Sequence, residues 1–338
     1  MSSPSVTIAE PETRRLTLSQ AVNEAIAEEL RRDPSVFLIG EDVAEAGTPF
    51  KVLSGLVDEF GAERILDSPI SEAGITGIGL GAAMTGMRPI VDIMFGDFMT
   101  LVMDQLVNQA AKIHYMSGGR LKAPLTIRTT LGATRRSAAQ HSQSLHALVA
   151  HIPGLKVVLP STPYDAKGLF KSAIRDDNPV VVFEDKMMFA VEGPVPEEEY
   201  VVPLGVADVK REGEDITLVA TSSMVYVALD AAEQLAEDGV SAEVVDPRTL
   251  VPLDRETIVA SARKTGHAVV VDEGHRGYGA GAELAALIAE DAFYDLDAPV
   301  RRLCARDVPI PFSPVLEDLT VPTADTLAAE ARDLVGKA

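Results

Sequence analysis

Residues 68–83, SPISEAGITGIGLGAA, lead into the run PIVDIM at residues 89–94, and together they predict the fold. The first segment places one carboxylate, Glu72, ahead of an almost wholly apolar run with a helical pattern that extends to residue 87. The second segment is short and mostly apolar, which is typical of a strand buried on both faces of a sheet. A helix followed by such a strand is the unit from which parallel α/β sheets are built.

The same alternation of helix and strand runs through two sections of the chain. In the first section the predicted strands are Val36–Ile39, Pro89–Met94, Leu125–Thr129, Lys156–Pro160 and Val180–Glu184, with helical patterns at 18–32, 72–87, 98–116, 142–151 and 164–176. In the second section the predicted strands are Ile216–Ala220, Ala242–Asp246, Ala268–Asp272 and Val300–Ala305, with helical patterns at 223–238, 254–265, 281–291 and 323–336. This pattern predicts an α/β fold made of two doubly wound domains.

A Pro-rich and acidic segment at Glu192–Glu199 separates the two sections and predicts a linker. We therefore expect a first domain over residues 16–190, a linker over residues 191–204 and a second domain over residues 205–338. Residues 1–15 are polar, contain Pro and lack an apolar leader segment, so we expect a flexible N-terminal tail.

The composition restricts the class of protein and its partners. The chain has 338 residues, of which 46% are apolar and 24% are charged, as in a soluble protein with two cores. Its net charge of −21 opposes binding to nucleic acid or to an anionic membrane surface. No apolar segment is long enough to span a bilayer. We expect a cytoplasmic protein whose partners are small molecules or basic proteins.

The sequence around Glu72 permits two interpretations of this residue. A carboxyl group in apolar surroundings has a raised pKa, which suits a group that exchanges protons near neutral pH. A solvated Glu in the first turn of a helix also interacts favourably with the helix dipole, without any chemical role.

A second group of polar residues, at Arg135–Ser144, follows the predicted strand Leu125–Thr129. Ligands of parallel sheets bind at the carboxyl ends of strands. His141 is therefore the best candidate for a general acid or base, because its ordinary pKa lies near neutrality. A loop histidine with ordinary hydrogen bonds is the alternative. We expect His146, on the following helix, to be structural or solvated.

Two further patterns each have a chemical and a structural interpretation. The helix end at Ala173–Pro179 is rich in oxygen ligands and could hold a cation, although Asp and Asn also cap helix ends. The glycine patterns at Gly77–Ala82 and Gly277–Gly281 match a dinucleotide fingerprint and suggest a nicotinamide-dependent dehydrogenase. Neither is followed by a strand that ends in an acidic residue, so close packing and a loop that opens a helix explain them better.

Several motifs stand in the chain in the order found in one known family: Ser71–Gly74, Phe95–Met99, Asp104–Gln105, Ala110–Lys112, Tyr115–Gly119, Ala139–Gln143 and Ile152–Val158. From about Leu16 to Leu334 the chain resembles the β subunit of the thiamine-diphosphate-dependent decarboxylating component of 2-oxo acid dehydrogenase complexes. The family includes pyruvate, branched-chain and acetoin members. The resemblance implies a transketolase-like pyrimidine-binding domain followed by a transketolase C-terminal-like domain.

The resemblance also implies roles for individual residues. Glu72 matches the catalytic Glu that hydrogen-bonds the aminopyrimidine of thiamine diphosphate and so activates its thiazolium ring. His141 matches the catalytic histidine beside the reacting carbon. Phe98 matches the aromatic residue that packs against the pyrimidine, and Tyr115 lies near it. The potassium site of the family maps onto Leu125, Ala173, Ile174, Asp176 and Asn178.

The partners follow from what the chain lacks. The family holds the diphosphate and magnesium with a Gly-Asp-Gly segment and a later Asn, and this sequence has no such segment. The resemblance therefore implies a separate α subunit, in a heterotetramer of two α and two β chains. The acidic surface suits a basic domain of the lipoamide acyltransferase core. The segment Arg128–Arg136 departs from typical pyruvate members, whereas Ala138–His141 and Pro160–Leu169 look closest to acetoin members. The resemblance therefore favours acetoin or pyruvate over branched-chain 2-oxo acids as the substrate. A non-catalytic structural subunit is the alternative function.

Overall fold

Strands and helices alternate over residues 14–336, the part of the chain that the computed structural model describes. The strands are β1 (Arg15–Thr17), β2 (Val36–Gly40), β3 (Ile65–Asp67), β4 (Arg88–Ile93), β5 (Thr126–Leu131), β6 (Lys156–Val158), β7 (Val180–Asp185), β8 (Glu192–Pro194), β9 (Asp208–Arg211), β10 (Ile216–Ala220), β11 (Ala242–Asp246), β12 (Thr249–Val251), β13 (Ala268–His275) and β14 (Arg301–Ala305). The helices are α1 (Leu18–Arg32), α2 (Leu56–Phe60), α3 (Glu72–Met84), α4 (Ala111–Met116), α5 (His146–Ala150), α6 (Pro163–Arg175), α7 (Met224–Glu237), α8 (Arg255–Thr265), α9 (Ala280–Asp291), α10 (Pro314–Glu317) and α11 (Ala324–Val335).

The first unit is built on a sheet with the strand order β12-β6-β7-β5-β4-β2-β3. All neighbours in it are parallel except β12 and β6. Every residue of β2, β5 and β7 is buried, because helices and their apolar side chains cover both faces. Mostly apolar strands with helices between them therefore form a parallel sheet here, as predicted.

The second unit has the strand order β14-β13-β10-β11-β9, and only β9 is antiparallel to its neighbour. Its sheet lies between two apolar clusters, one with α7 and α11 and the other with α8 and α9. The prediction of an α/β fold with two sheet-based units is confirmed. No helix in the described ranges is long and apolar enough to cross a membrane.

Two short strands, β12 and β8, pair with strands on the other side of the predicted domain boundaries. β12 follows β11 in the chain, but it pairs with β6 in the first sheet. β1 pairs with β8, which lies within the segment expected to be a linker. Arg15, which we expected in the tail, begins β1, and residues 1–13 lie outside the described residues. Three-residue strands carry no detectable periodicity, so the sequence could not indicate these pairings. The bounds 16–190, 191–204 and 205–338 stay predictions.

Helix α3 lies directly on β4, and this contact explains one of its glycines. A Cβ atom on Gly79 would come within 2.4 Å of Val91 Cγ2, so a side chain cannot be accommodated without a shift. A Cβ atom on Gly77 would meet nothing nearer than 3.9 Å, and one on Gly81 would meet nothing within 4 Å. Of these three glycines, close packing therefore accounts only for Gly79. The helical pattern predicted at 98–116 is a 3₁₀ segment, Gly96–Val102, then a π-helical segment, Asp104–Ala110, and then α4.

Candidate active site

Three aromatic side chains meet at the carboxyl ends of β4 and β5. Phe95 follows β4, Phe98 lies in the 3₁₀ segment, and His141 lies in the loop after β5. The His141 ring centroid is 4.6 Å from that of Phe95 and 5.4 Å from that of Phe98, both edge-on. All three rings are partly exposed. The structure thus brings His141 and Phe98, both predicted as site residues, into contact.

The backbone of His141 is fixed by a buried lysine. Lys186 Nζ donates a hydrogen bond to the backbone oxygen of His141 and lies 5.5 Å from the centroid of the Phe95 ring. Burial lowers the pKa of Lys186. Two residues further along, Gln143 Nε2 donates to Asp97 Oδ1 at 2.8 Å. Within residues 14–336 no hydrogen bond engages the ring nitrogens of His141, so both are available to a ligand.

Glu72 is the first residue of α3 and is half-buried. The preceding Ser71 makes no side-chain cap bond, so the start of the helix is not closed by its own cap. Burial raises the pKa of Glu41, which follows β2, and the neighbouring charges of Asp42 and Glu72 raise it further. Glu72 therefore lies in an acidic patch at the carboxyl end of the sheet. Helix α3 packs against the 3₁₀ segment that carries Phe98.

Tyr115 lies near the end of α4 and is 86% exposed. Among the described residues no ring contact joins it to Phe98 or to His141. The structure therefore places this predicted cofactor residue on the surface and apart from the ring cluster.

The five residues predicted to hold potassium are neighbours at the end of α6. The backbone oxygen of Leu125 accepts from Val180 N at 2.9 Å, which brings β5 beside this turn. Arg88 Nη1 donates to the backbone oxygens of Ile174, at 3.1 Å, and Asp176, at 2.9 Å. Asp176 Oδ1 accepts from the Asn178 backbone, so it also closes its own turn. These oxygens suit a cation, and a guanidinium already contacts two of them.

A fully buried ion triad lies beneath the site, and sequence analysis missed it. Arg128 on β5 donates from Nε and Nη2 to the two carboxylate oxygens of Glu184, both at 2.8 Å, and from Nη1 to Asp92. Burial raises the pKa of both carboxyl groups. The signal in the sequence is a charged residue within each of three neighbouring strands: Asp92 in β4, Arg128 in β5 and Glu184 in β7. A buried strand tolerates such a residue only when its charge is paired.

The second unit also contacts the loop that carries His141. Ala133 N donates to Glu273 Oε1 at 2.7 Å, and Thr134 N donates to Glu317 Oε1 at 2.7 Å. The ring of His146 is buried and pairs with Asp272 at 3.0 Å, as expected of a structural histidine. Neither Glu273 nor Glu317 was predicted as a site residue. A large groove beside α1 contains none of the predicted site residues.

Comparison with known proteins identifies the domains and the family of this chain. The model of the transketolase pyrimidine-binding domain matches residues 14–191, and that of the transketolase C-terminal domain matches residues 205–327. The acetoin:2,6-dichlorophenolindophenol oxidoreductase subunit beta of Bacillus subtilis is 49% identical, over 96% of this chain and 98% of that protein. The 2-oxoisovalerate dehydrogenase subunit beta of the same organism is 46% identical, over 93% and 97%.

A plant relative and a solved structure extend the comparison. The mitochondrial pyruvate dehydrogenase E1 component subunit beta-1 of Oryza sativa is 45% identical, over 94% of this chain and 86% of that protein. A split-gene transketolase, described as an inactive beta4 tetramer, superposes with a TM-score of 0.77 over 95% of this chain and 98% of its own, at 24% identity, which shows a shared fold. The chain therefore belongs to the family of acetoin and 2-oxo acid dehydrogenase β subunits, built from transketolase pyrimidine-binding and C-terminal domains.

Proposed function

We propose that this chain is the catalytic β subunit of a heterotetrameric acetoin or 2-oxo acid dehydrogenase component and holds the pyrimidine half of thiamine diphosphate. The observation that carries the proposal is that helix α3, which begins at the half-buried Glu72, packs against the 3₁₀ segment, whose Phe98 contacts the ring of His141. A flat heteroaromatic ring with a basic nitrogen fits an aromatic face next to a carboxyl group.

In this proposal each residue has a separate task. Glu72 hydrogen-bonds the aminopyrimidine ring through its carboxyl group. Phe98 packs against the ring. His141 orients the substrate and moves a proton at a free ring nitrogen. When bound, thiamine diphosphate supplies the electron-withdrawing ring needed to cleave a bond next to a carbonyl group.

The rest of the site is assigned to an α subunit. Large apolar side chains are exposed on the elements that carry the site: Ile70 is 74% exposed, Ile78 59% and Leu101 53%. Exposed apolar patches of this kind mark protein interfaces. In the described part of the chain no cluster of His, Cys, Asp and Glu is placed to hold a metal ion. We assign the magnesium and diphosphate ligands to the α subunit, because this sequence lacks the Gly-Asp-Gly segment that holds them in the family. The assembly then contains two α and two β chains.

Three finer assignments belong to the same proposal. The acyl group is passed to lipoamide on the acyltransferase core, whose basic domain the acidic β chain attracts. A potassium ion binds the oxygens at the end of α6, alongside Arg88. The substrate is acetoin or pyruvate. The identities to the acetoin, 2-oxoisovalerate and pyruvate relatives, 49%, 46% and 45%, are too similar to separate the substrates. Turnover with a panel of substrates that includes branched 2-oxo acids tests this choice.

The test is a substitution in the assembled enzyme. Glu72→Gln should abolish turnover and leave the heterotetramer intact by size-exclusion chromatography, because the amide cannot share a proton with the pyrimidine. Glu63→Gln is the matched control, since Glu63 is exposed and precedes α3 in the chain. Wild-type turnover in Glu72→Gln would refute the catalytic assignment and favour a purely structural subunit.

A further inference from the structure

The loop that carries His141 has an unfavourable backbone. Three residues in it that are not glycine have positive φ values: Thr134 at 66°, Arg136 at 59° and Ala138 at 61°. Side chains with a Cβ atom rarely adopt this conformation, and it persists only where surrounding contacts enforce it. The relevant question is therefore which groups hold residues 132–145 in place.

Two buried carboxyl groups of the second unit hold the start of this loop. Glu273 Oε1 accepts from Ala133 N at 2.7 Å, and its Oε2 accepts from Ser144 Oγ at 3.4 Å, so one side chain joins both ends of the loop. Glu317 is fully buried and accepts from Thr134 N at 2.7 Å and from Arg136 Nη1 at 2.6 Å. Two of the three strained residues thus bond directly to Glu317.

Glu273 also meets the first unit through Asp185. A Cβ atom on Gly132 would lie 2.9 Å from Asp185 Oδ2 and 3.0 Å from Glu273 Oε2, so the two carboxyl groups converge over this glycine. Gly132 has a φ of 102°, and a side chain there would displace both groups. Lys186, which holds the backbone oxygen of His141, follows Asp185 in the chain. The contacts of the second unit and those of Lys186 therefore converge on the same loop.

We propose that Glu273 and Glu317 are positioning residues for His141, so that the second unit sets the geometry of a site whose predicted residues all lie in the first. The inference rests on the proposed function, because it assigns the carboxyl groups a role through His141. Removal of either contact relaxes the strained loop and moves the ring. Since displacement of a catalytic group by about 1 Å costs up to about 100-fold in rate, Glu273→Ala and Glu317→Ala should lower kcat by about 10- to 100-fold.

The experiment uses the enzyme assembled with its α subunit. Glu273→Gln keeps an oxygen acceptor for Ala133 N and should recover most of kcat, whereas Glu273→Ala should not. In a His141→Ala background Glu273→Ala should cause no further loss, because a residue that acts through His141 has nothing left to position. Glu243→Ala is the matched control: Glu243 is a buried carboxylate of the second unit, paired with Lys264, and lies away from the loop.

Hydrogen exchange separates failure of this inference from failure of the proposed function. Glu273→Ala and Glu317→Ala should speed amide exchange across residues 132–145, and Glu243→Ala should not. Unchanged exchange, or an equal further loss of kcat in the His141→Ala background, would overturn the positioning role. Faster exchange together with full turnover in His141→Ala would support the positioning of the loop and refute the catalytic role of His141.

Discussion

The imidazole of His141 meets the ring of Phe95 edge-on, with 4.6 Å between centroids and 76° between the planes. This contact joins the loop after β5 to the end of β4. The position of His141 thus depends on a side chain that the sequence motif FGDFM contains but does not single out. Edge-to-face aromatic contacts contribute about 0.5–1.5 kcal/mol beyond the burial of area, enough to favour one position of the ring.

Phe95→Leu should therefore lower the turnover of the assembled enzyme. Leucine removes the flat face on which the His141 ring rests, and the expected loss in kcat is about 10-fold. Steady-state kinetics measures it. Phe293→Leu is the control, because Phe293 is 67% exposed and lies in the second unit near Tyr294. Equal activity of the two variants would show that the contact with Phe95 does not position His141.

The pair Asp185 and Glu273 should make stability fall as pH rises. Burial is the main cause that raises the pKa of both groups, and the negative charge of Asp185 raises that of Glu273 further. The folded chain therefore keeps a proton that the unfolded chain releases above its ordinary carboxyl pKa, about 4. The contribution of the pair to the free energy of unfolding is therefore fully present below the ordinary carboxyl pKa. It is lost as the pH rises toward the pKa values of the folded chain.

Asp185→Asn tests this dependence, because asparagine can donate to Glu273 without a shared proton. Its Tm should fall less than that of the wild type between about pH 5 and about pH 8. Differential scanning calorimetry measures both, with Asp58→Asn, an exposed site on α2, as the control. Parallel pH profiles for wild type and Asp185→Asn would contradict the expectation.

The buried triad predicts a large stability effect. Arg128→Met leaves Asp92 and Glu184 without their partner in the centre of the sheet, and loss of one partner from a buried charge group costs about 3–5 kcal/mol. Urea titration followed by circular dichroism measures the free energy of unfolding. Arg31→Met breaks an exposed pair with Glu59 and should cost less than about 1 kcal/mol. Similar losses would mean that the triad is not needed for the fold.

Substitution of two glycines of α3 by alanine should change the free energy of unfolding in opposite directions. Gly79→Ala forces a Cβ atom against Val91 and should destabilise the chain by about 1–3 kcal/mol. Gly81→Ala meets open space and should stabilise it by up to about 1 kcal/mol, because alanine favours helices. The same urea titration compares them. Stabilisation by Gly79→Ala would contradict the packing of α3 on β4.

The long elements could be predicted because their signals are local. Helix α1 has the bounds expected from its periodicity, with Thr17 capping its start and Asp33–Pro34 ending it. The family resemblance, which the comparisons confirm, depended on motifs read in order along the chain. The short strands β1, β8 and β12 were missed because three residues cannot establish a period.

The carboxyl groups that hold the His141 loop could not be predicted, because they bond to residues far away in the sequence. Glu273 is 140 residues from Ala133, and Glu317 is 183 residues from Thr134. A single sequence contains no signal for such pairs. The charged residues within β4, β5 and β7 were the one local hint of the triad. Glu72 and His141 could be singled out as candidates because each lies at a recognisable end of an element, whereas Phe98 was named from the family resemblance.

The most direct test of the central claim is calorimetric titration of thiamine diphosphate with magnesium into the purified chain, alone and after assembly with its α subunit. A shared site predicts no measurable binding to the chain alone and tight binding to the assembly. Glu72→Gln should weaken the binding to the assembly. Tight binding to the isolated chain would contradict the assignment of the diphosphate and magnesium ligands to the partner.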